Sequence, residues 1–442
     1  MEDIPHPLVR ARIAAGLTME KLVTGIRAAA ARRGLRSGVD EARVRKWHRG
    51  VRPNDEHQVY IAEALGWPAD IVRADDWPNW LPLTADGVIP FGPHSSVHAL
   101  REALRTAMER RTFLTISGAA LSALAADWAA GPAAALDQAV NGTPVAHEFI
   151  TWLETSARQL AGMATDERQY IPDLLEAHLD TVTNLITDGR YTPADGLRLH
   201  SLAAYLSQTI AWHRFDLGRH THASQYWVAG LHNARAARDH DMGAGLLSDL
   251  AYQAAWRQDH PTAASILHHA LTRAQNPAAL CLLNLRLART LAARHERRPA
   301  LRALAAAEKH LGDAGADRPA WCTWISEADL AVDSGQTLLD LGDTGRAHQL
   351  ITEGERLLPP ARDKTRGVFL AYRAASYLDQ KEPEPAAAAA TQSLLLARRI
   401  GAPRCIRLIE DLLPRFQPYA RAQGVPELLQ RSAAQVPAAS RT

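Results

Sequence analysis

The amino-acid sequence predicts an all-α protein, and three observations lead to that class. Hydrophobic residues make up 47% of the 442 residues but aromatic residues only 6%, a balance rich in alanine and leucine that favours packed helices. No stretch sustains the alternation of apolar and polar residues that a half-buried strand needs. From about residue 204 onward, a pair of helices recurs. We therefore expect an N-terminal domain of four or five helices followed by a right-handed solenoid of helix pairs.

Four helical segments are predicted in the first seventy-odd residues. The first covers His6–Ala15, and the second begins after a Thr18 cap and runs to about Arg33. The third is a short basic helix that begins at Asp40, and the fourth covers Asp55–Leu65. Caps and glycine stops mark the ends of these helices.

The basic helix is the most informative segment of the chain. Asp40 is placed as its N-cap, Val44 and Trp47 are the apolar positions that face inward, and Gly50 ends it. The cations fall on the remaining surface: Arg43, Arg45, Lys46, Arg49 and Arg52. A helix that buries a thin apolar stripe and exposes arginines elsewhere fits a DNA major groove.

Charge is concentrated at this end of the chain. Residues 1–55 hold twelve Lys and Arg against six Asp and Glu, a local excess of six, whereas the whole chain carries +2. Binding to phosphate needs such a local excess rather than a basic protein overall. The alternative is a solvated basic surface on a small helical domain.

These segments resemble the Cro/C1-type helix-turn-helix family, also called the xenobiotic-response-element family. The likeness covers roughly residues 5–75 and rests on three motifs: VRARIAAGLT at 9–18, WHRG at 47–50 with Arg52 and Pro53 following, and IAEALG at 61–66. Met19 stands where the family usually has glutamine, and residues 28–38 look like an insertion. The resemblance implies double-stranded DNA as a partner, contacted through Thr18, Arg36, Glu41, Ala42, Arg43, Arg45, Lys46, Arg49 and Arg52. His48 is expected to lie beside phosphate or to face solvent.

A proline-rich stretch follows the first domain. WPNWLPLTADGVIPFGP at 77–93 carries four prolines and two glycines, which exclude a helix and predict a stiff linker. The next stretch, from Arg110 to Ala125, imitates a twin-arginine export signal, but it begins more than a hundred residues into the chain. We interpret it as linking helices rather than as a signal or a membrane span.

The repeats share small residues at three fixed positions. Fifteen positions are small: the anchors Ala223, Ala263, Ala300, Ala347 and Ala386, the residues twelve earlier (Ala211, Ala251, Ala288, Gly335, Ala374) and those seven later (Gly230, Ala270, Ala307, Gly354, Ser393). This pattern resembles the tetratricopeptide repeat with lengthened helices. The predicted domains are 1–76 (helix-turn-helix), 77–97 (linker), 98–140 (linking helices), 141–431 (repeat sensor and dimerisation domain) and 432–442 (flexible tail).

In a solenoid of this kind, the first helices of the pairs line a concave face. The register places eight candidate ligand-binding residues there: Tyr205, Gln208, Trp212, Tyr252, Asn284, Arg289, Gln336 and Tyr372. Aromatic rings with separated polar groups suit a peptide or a small amphipathic molecule. For each residue, packing within the core is an equal alternative.

The sequence carries no catalytic signature, so we predict no enzyme, no cofactor and no metal site. Three separated cysteines and an acidic, proline-containing start predict a cytoplasmic protein. The combination resembles peptide-sensing quorum regulators and actinobacterial regulators. It implies a DNA-binding transcriptional regulator, homodimeric, whose repeats sense a peptide, small-molecule or protein signal. The competing hypothesis is a non-catalytic interaction scaffold whose first domain does not contact DNA.

Overall fold

The computed structural model describes residues 6–14, 17–65, 95–108, 116–130, 143–162, 171–315 and 318–433, with positions 69, 72, 77, 78, 81, 88, 89 and 91. The helices in this part of the chain confirm the predicted all-α class. They are α1 (Pro7–Ala14), α2 (Met19–Ala31), α3 (Glu41–His48), α4 (Asp55–Ala64), α5 (Ser95–Met108), α6 (Gly118–Ala130), α7 (His147–Gly162), α8 (Ile171–Asp188), α9 (Pro193–Asp216), α10 (His220–Ala236), α11 (His240–Trp256), α12 (His260–Leu271), α13 (Pro277–Ala293), α14 (Arg297–Asp313), α15 (Glu327–Asp340), α16 (Thr344–Leu357), α17 (Asp363–Asp379), α18 (Pro383–Arg399), α19 (Pro403–Phe416) and α20 (Val425–Ala433).

One strand pairing accompanies these helices within the described ranges. β1 (Thr143–Pro144) and β2 (Gly189–Arg190) lie parallel. Strands of two residues leave no alternating pattern, so the sequence could not reveal them.

The chain divides into two compact units. Unit 1 is drawn from 1–157, 176–211 and 221–239, and unit 2 from 158–175, 212–220 and 240–442. The predicted domain boundaries remain predictions.

In unit 1, the first four helices pack around a shared apolar core. Leu22 and Ile26 of α2, Val44 of α3 and Ile61 of α4 have no exposed surface. Helix α2 contacts both α3 and α4, and α1 contacts α3. The approach of α2 to α4 is close, because a Cβ on Gly25 would lie 2.9 Å from the Cβ of Ala64. This core fixes the position of α3.

The repeat array is made of helix pairs. The first helices of the pairs are α9, α11, α13, α15 and α17, and the second helices are α10, α12, α14, α16 and α18. In unit 2, each first helix contacts the next first helix, from α11 through α13, α15 and α17 to α19. All fifteen small positions of the predicted repeat are buried, so the register inferred from the sequence is confirmed.

Two glycines show why these positions must be small. A Cβ on Gly335 of α15 would lie 2.8 Å from the backbone oxygen of Ala347 in α16. A Cβ on Gly354 of α16 would lie 2.6 Å from the backbone oxygen of Ala328 in α15. The two helices therefore touch backbone to backbone at both ends of their contact, which no larger side chain permits.

The turn inside each pair has the same backbone conformation. Its central residue has positive φ and lies five residues before each anchor: Gly218 (75°), Gln258 (65°), His295 (60°), Gly342 (83°) and Lys381 (64°). Positive φ at the end of a helix closes the last turn and reverses the chain. Because glycine occupies only two of these positions, the sequence pattern alone shows only part of this regularity.

Candidate functional site

The start of α3 is held by side-chain hydrogen bonds. The carboxylate of Asp40 accepts a hydrogen bond of 2.8 Å from the backbone N–H of Arg43, as the predicted cap requires. A cap of this kind contributes about 1 kcal/mol to helix stability. Arg27 of α2 donates from Nε to the backbone oxygen of Val39, at 2.9 Å, and so fixes the segment that leads into α3.

Helix α3 buries one narrow stripe and exposes the rest. Val44 has no exposed surface and Trp47 has 3%, as predicted. The side chains that the sequence placed on the outer surface are all exposed: Arg43, Arg45, Lys46, Arg49 and Arg52. A short helix with this division presents its cations to solvent on a firmly packed support.

Not all of these cations are equally available. Arg45 pairs with Glu41 at 2.6 Å, and Arg52 pairs with Asp55 at 3.2 Å. Exposed ion pairs contribute about 1 kcal/mol or less, so a phosphate can displace them. Arg43, Lys46 and Arg49 form no ion pair with any residue that the structure describes.

The remaining residues predicted to contact DNA also belong to the first three helices and the segments next to them. Thr18 caps α2 by accepting a hydrogen bond from the backbone N–H of Lys21 at 3.1 Å. Ala42 and Arg36 are exposed, and Glu41 is half-buried and paired with Arg45. Thr18 and Glu41 therefore have a demonstrated structural role alongside the predicted one.

His48 is less exposed than the cations around it. Its side chain is partly buried, and its Nε2 atom is enclosed without a hydrogen-bond partner among the described residues. Burial lowers the pKa of the imidazole to about 4, with smaller contributions from Arg12 and His6. The residue is therefore neutral at pH 7 and faces solvent only in part, while a position beside phosphate stays a prediction. Position 48 ends α3 on the side of α1, where a charged ring would be desolvated.

In unit 2, aromatic rings from two neighbouring helices meet. Trp212 of α9 lies with its ring centroid 5.6 Å from that of Tyr252 of α11, and Trp256 lies 5.7 Å from Phe215. Phe215 is 2% exposed and belongs to the core, whereas Trp212, Tyr252 and Trp256 are only partly buried. Together with Arg286 and Arg404 these rings form a group that we name the aromatic–arginine cluster (Trp212, Phe215, Tyr252, Trp256, Arg286, Arg404).

The two arginines of this cluster come from helices further along the chain. The guanidinium of Arg286 lies 5.2 Å from the ring centre of Tyr252 and donates to Asp249 at 2.7 Å. That of Arg404, on α19, lies 5.7 Å from the ring centre of Trp212 and 6.0 Å from that of Tyr252. Each contact is within the range of a cation–π interaction.

A second polar group links three first helices. Arg289 of α13 donates to Asp333 of α15 at 3.0 Å and to the hydroxyl of Tyr372 of α17 at 3.1 Å. Burial raises the pKa of Tyr372 to about 12, so its hydroxyl stays neutral. Although burial opposes charge on Arg289, the neighbouring Tyr372 and Asp333 hold its pKa above the usual range. Arg289 and Asp333 each keep 25% of their side-chain surface accessible.

The structure thus joins four of the eight predicted ligand residues in two groups: Trp212 with Tyr252, and Arg289 with Tyr372. The other four have separate surroundings. Tyr205 is partly exposed and Gln208 is buried, both earlier on α9 in unit 1. Asn284 is 8% exposed and donates to its own helix at Leu280. Gln336 donates to Asp340 at 3.0 Å.

Sequence reasoning missed Asp249, Arg286 and Arg404 of these groups, and also Asp216 and Lys364, which pair with each other next to Arg404. A signal existed for two of them. Asp249 and Arg286 each lie fourteen residues before an anchor, the same register position as Asp333 and Tyr372. Charged side chains that recur at the same position of successive repeats indicate a polar face along the first helices. Arg404 lies beyond the last anchor, so the register could not place it.

The described residues contain no group of three or more His, Cys, Asp or Glu arranged to hold a metal ion. In the same part of the chain, no helix combines the length and the apolar character that crossing a membrane requires. The three cysteines are buried and free, and burial raises the pKa of the Cys281 and Cys322 thiols to about 12. These thiols therefore remain protonated and unreactive at neutral pH.

Comparison with known proteins finds similarity to one family and to helical repeat structures. A family model described as the SP15 N-terminal domain matches residues 8–68. No curated protein matches the chain. Among solved structures, the crystal structure of Rap protein complexed with competence and sporulation factor is 12% identical, with a TM-score of 0.40, and the match covers 65% of this chain and 97% of that one. The crystal structure of the APC/C hetero-tetramer Cut9–Hcn1 is 13% identical, with a TM-score of 0.26 and coverages of 86% and 83%.

Proposed function

We propose that this chain is a transcriptional regulator of the helix-turn-helix type, with α3 as the DNA-contacting helix. The observation that supports this is a set of exposed cations without an ion pair among the described residues, Arg43 and Lys46 on α3 and Arg49 at its C-cap, on a helix whose other face is fixed in a core. In the proposal, Glu41, Ala42, Arg43, Arg45 and Lys46 face base edges. Arg49 and Arg52 bind phosphate, with Thr18 and Arg36 positioning the domain.

The repeat array is proposed as the sensing and dimerisation part. Its support is the partly accessible cluster of rings and guanidinium groups in unit 2, since aromatic side chains with a few polar groups are typical of ligand sites. A signal bound there alters operator affinity through its preference for one conformation of the array. The protein is cytoplasmic in this proposal, and a homodimer would match a palindromic operator.

The test begins with DNA selected from a random pool by the full-length protein. Affinity for the selected site is then measured by fluorescence anisotropy for the wild type and for the double variant Arg43→Ala/Arg45→Ala. We expect at least a hundredfold weaker binding, because two charged contacts to base edges are lost. The matched control is Arg298→Ala/Arg302→Ala, which removes the same charge from exposed positions of α14. Equal affinity of the α3 variant and the control would refute the proposal.

One observation favours a second candidate function, a protein-interaction scaffold. Trp152 of α7 is 57% exposed and Phe149 is 39% exposed, and their rings stack at 5.8 Å. Exposed aromatic rings of this size are typical of protein contact surfaces. If no DNA is enriched by selection, whereas Trp152→Ala abolishes a protein contact of the wild type, the scaffold is the better description.

A further inference from the structure

The carboxylate of Asp216 is shared by two cations in unit 2. Lys364, at the start of α17, forms an ion pair with its Oδ2 atom. Arg404, at the start of α19, lies 3.5 Å from its Oδ1 atom. One negative charge therefore serves two positive side chains, and each of the three keeps at most a quarter of its surface exposed.

Further cations lie near His220, whose ring centroid is 5.0 Å from that of Phe215 of the aromatic–arginine cluster. Arg257 and Arg407 lie near enough to His220 to lower the pKa of its imidazole, an effect second to that of burial. Arg286 of the same cluster is already neutralised by Asp249, at 2.7 Å. The positive excess is thus centred on Arg404, whose closest carboxylate is also bound to Lys364.

The contact between Arg404 and Asp216 is long. The Nε atom of Arg404 is buried and faces the Oδ1 atom of Asp216 at 3.5 Å, and neither atom makes a hydrogen bond to a described residue. Buried donors of native proteins are nearly always bonded, because an unpaired one has lost its water without compensation. A bound acceptor would supply the missing partner.

Flat apolar surfaces adjoin this donor. The guanidinium of Arg404 lies 5.7 Å from the ring centre of Trp212 and 6.0 Å from that of Tyr252, and both rings remain partly exposed. Trp256 extends the apolar surface, with its ring stacked on that of Tyr252 at 6.5 Å. Exposed ring surface beside an under-neutralised guanidinium suits a ligand that is both flat and negatively charged.

We propose that the aromatic–arginine cluster binds a small organic anion that carries a planar ring, with the anionic group on Arg404 and the ring against Trp212 and Tyr252. This inference rests on the proposed sensing role of the repeats and gives it a ligand class. A neutral aromatic molecule would leave the positive excess unpaired. A bare inorganic anion would leave the ring surfaces in water.

The test is calorimetric titration of the full-length protein with naphthalene-2-sulfonate, with neutral 2-naphthalenemethanol and with inorganic sulfate. We expect the naphthalene sulfonate to bind at least tenfold more tightly than either of the other two. Arg404→Gln should weaken its binding at least tenfold, and Arg404→Lys, which keeps the charge but loses the planar group, should give an intermediate affinity. Arg302→Gln, an exposed arginine of α14, is the charge-matched control and should bind as the wild type does.

Equal binding of the neutral and anionic naphthalenes, equal binding of sulfate, or unchanged affinity in Arg404→Gln would each overturn the inference. Thermal melting of each variant shows whether it is folded. If Arg404→Gln does not fold, the affinity of Arg404→Lys is compared with that of the wild type instead. Failure of the proposed function is distinguishable, because it appears in the DNA measurement. If the anion binds but operator affinity does not change, the ligand class stands and the regulatory coupling fails.

Discussion

At the scale of single residues, the turn between paired helices contains three side chains in an unfavourable backbone conformation. Gln258, His295 and Lys381 have φ between 60° and 65°, where glycine avoids the steric cost of a Cβ. We expect Lys381→Gly to raise the free energy of unfolding by about 0.5–1 kcal/mol. Glycine removes the steric cost of positive φ in the folded state, and the greater freedom of glycine in the unfolded chain offsets part of that gain. Chemical denaturation monitored by circular dichroism measures this change.

The neighbouring Gln380 provides the control for that substitution. Its φ is −81°, in the right-handed helical region, so Gln380→Gly relieves no strain and should destabilise the protein. If both glycine variants were destabilised equally, the turn would not be strained at Lys381.

A second residue-scale property concerns pH. His232 of α10 is 2% exposed and uses both ring nitrogens: Nε2 donates to the backbone oxygen of Ile89 at 3.0 Å, and Nδ1 accepts from the hydroxyl of Ser95 at 2.8 Å. Burial lowers its pKa to about 3. The neutral ring thus connects α10 to the segment that precedes α5.

Because the folded-state pKa lies below the usual 6.5, the stabilisation that depends on neutral His232 is complete above pH 6.5. It is lost as pH falls from 6.5 towards 3, by up to about 1.4 kcal/mol per pH unit. We expect His232→Gln to be less stable than the wild type at pH 7 but to lose less further stability between pH 6.5 and 4.5. His295→Gln, at an exposed position, should keep the wild-type pH dependence. Unfolding curves at several pH values test this, and parallel curves for all three proteins would contradict it.

At the scale of helices, close backbone contact determines which substitutions a repeat tolerates. A Cβ on Gly354 would lie 2.5 Å from Val332 Cγ2 and 2.6 Å from the backbone oxygen of Ala328. Gly354→Ala should therefore separate α15 from α16 and cost about 1–3 kcal/mol. The measurement is the midpoint of urea unfolding.

The same helix offers a matched control. A Cβ on Gly345, in the first turn of α16, would meet no described atom within 4 Å, and this glycine does not have positive φ. Gly345→Ala should be neutral or stabilising by up to about 1 kcal/mol, because alanine favours helix. A similar loss of stability in both variants would mean that helix propensity, not packing, limits this pair.

The helices also show what could be predicted from the sequence. Small residues at fixed spacing revealed the repeat register because steric exclusion acts at every pair, and all fifteen positions are buried. The α3 cap and its buried Val44 and Trp47 followed from local rules of the same kind. Residues such as Lys364 and Arg404 could not be predicted, since their partner Asp216 is far away in sequence and depends on how many repeats intervene.

At the scale of the whole molecule, charge is unevenly distributed along the chain. The formal net charge is +2, whereas Arg43 and Lys46 of α3 and its C-cap Arg49 are exposed without acidic partners among the described residues. In the proposed function, the slope of log affinity against log salt reflects the number of phosphates bound, at about −0.9 per contact. We expect Arg49→Gln to reduce that slope by about one unit while weakening specific and non-specific DNA equally. An unchanged slope would remove Arg49 from the phosphate contacts.

The ion pair between Asp216 and Lys364 has a consequence for how unit 2 folds. Solenoids usually unfold repeat by repeat, because each repeat touches only its neighbours. Here Asp216 is bound to a residue 148 positions away, and Arg289 bonds Tyr372 across 83 positions. Opening either end of unit 2 therefore breaks contacts in the middle, which couples the repeats into one cooperative transition. Hydrogen exchange should show amides of α11 to α17 with a common protection free energy, rather than protection that declines towards the ends.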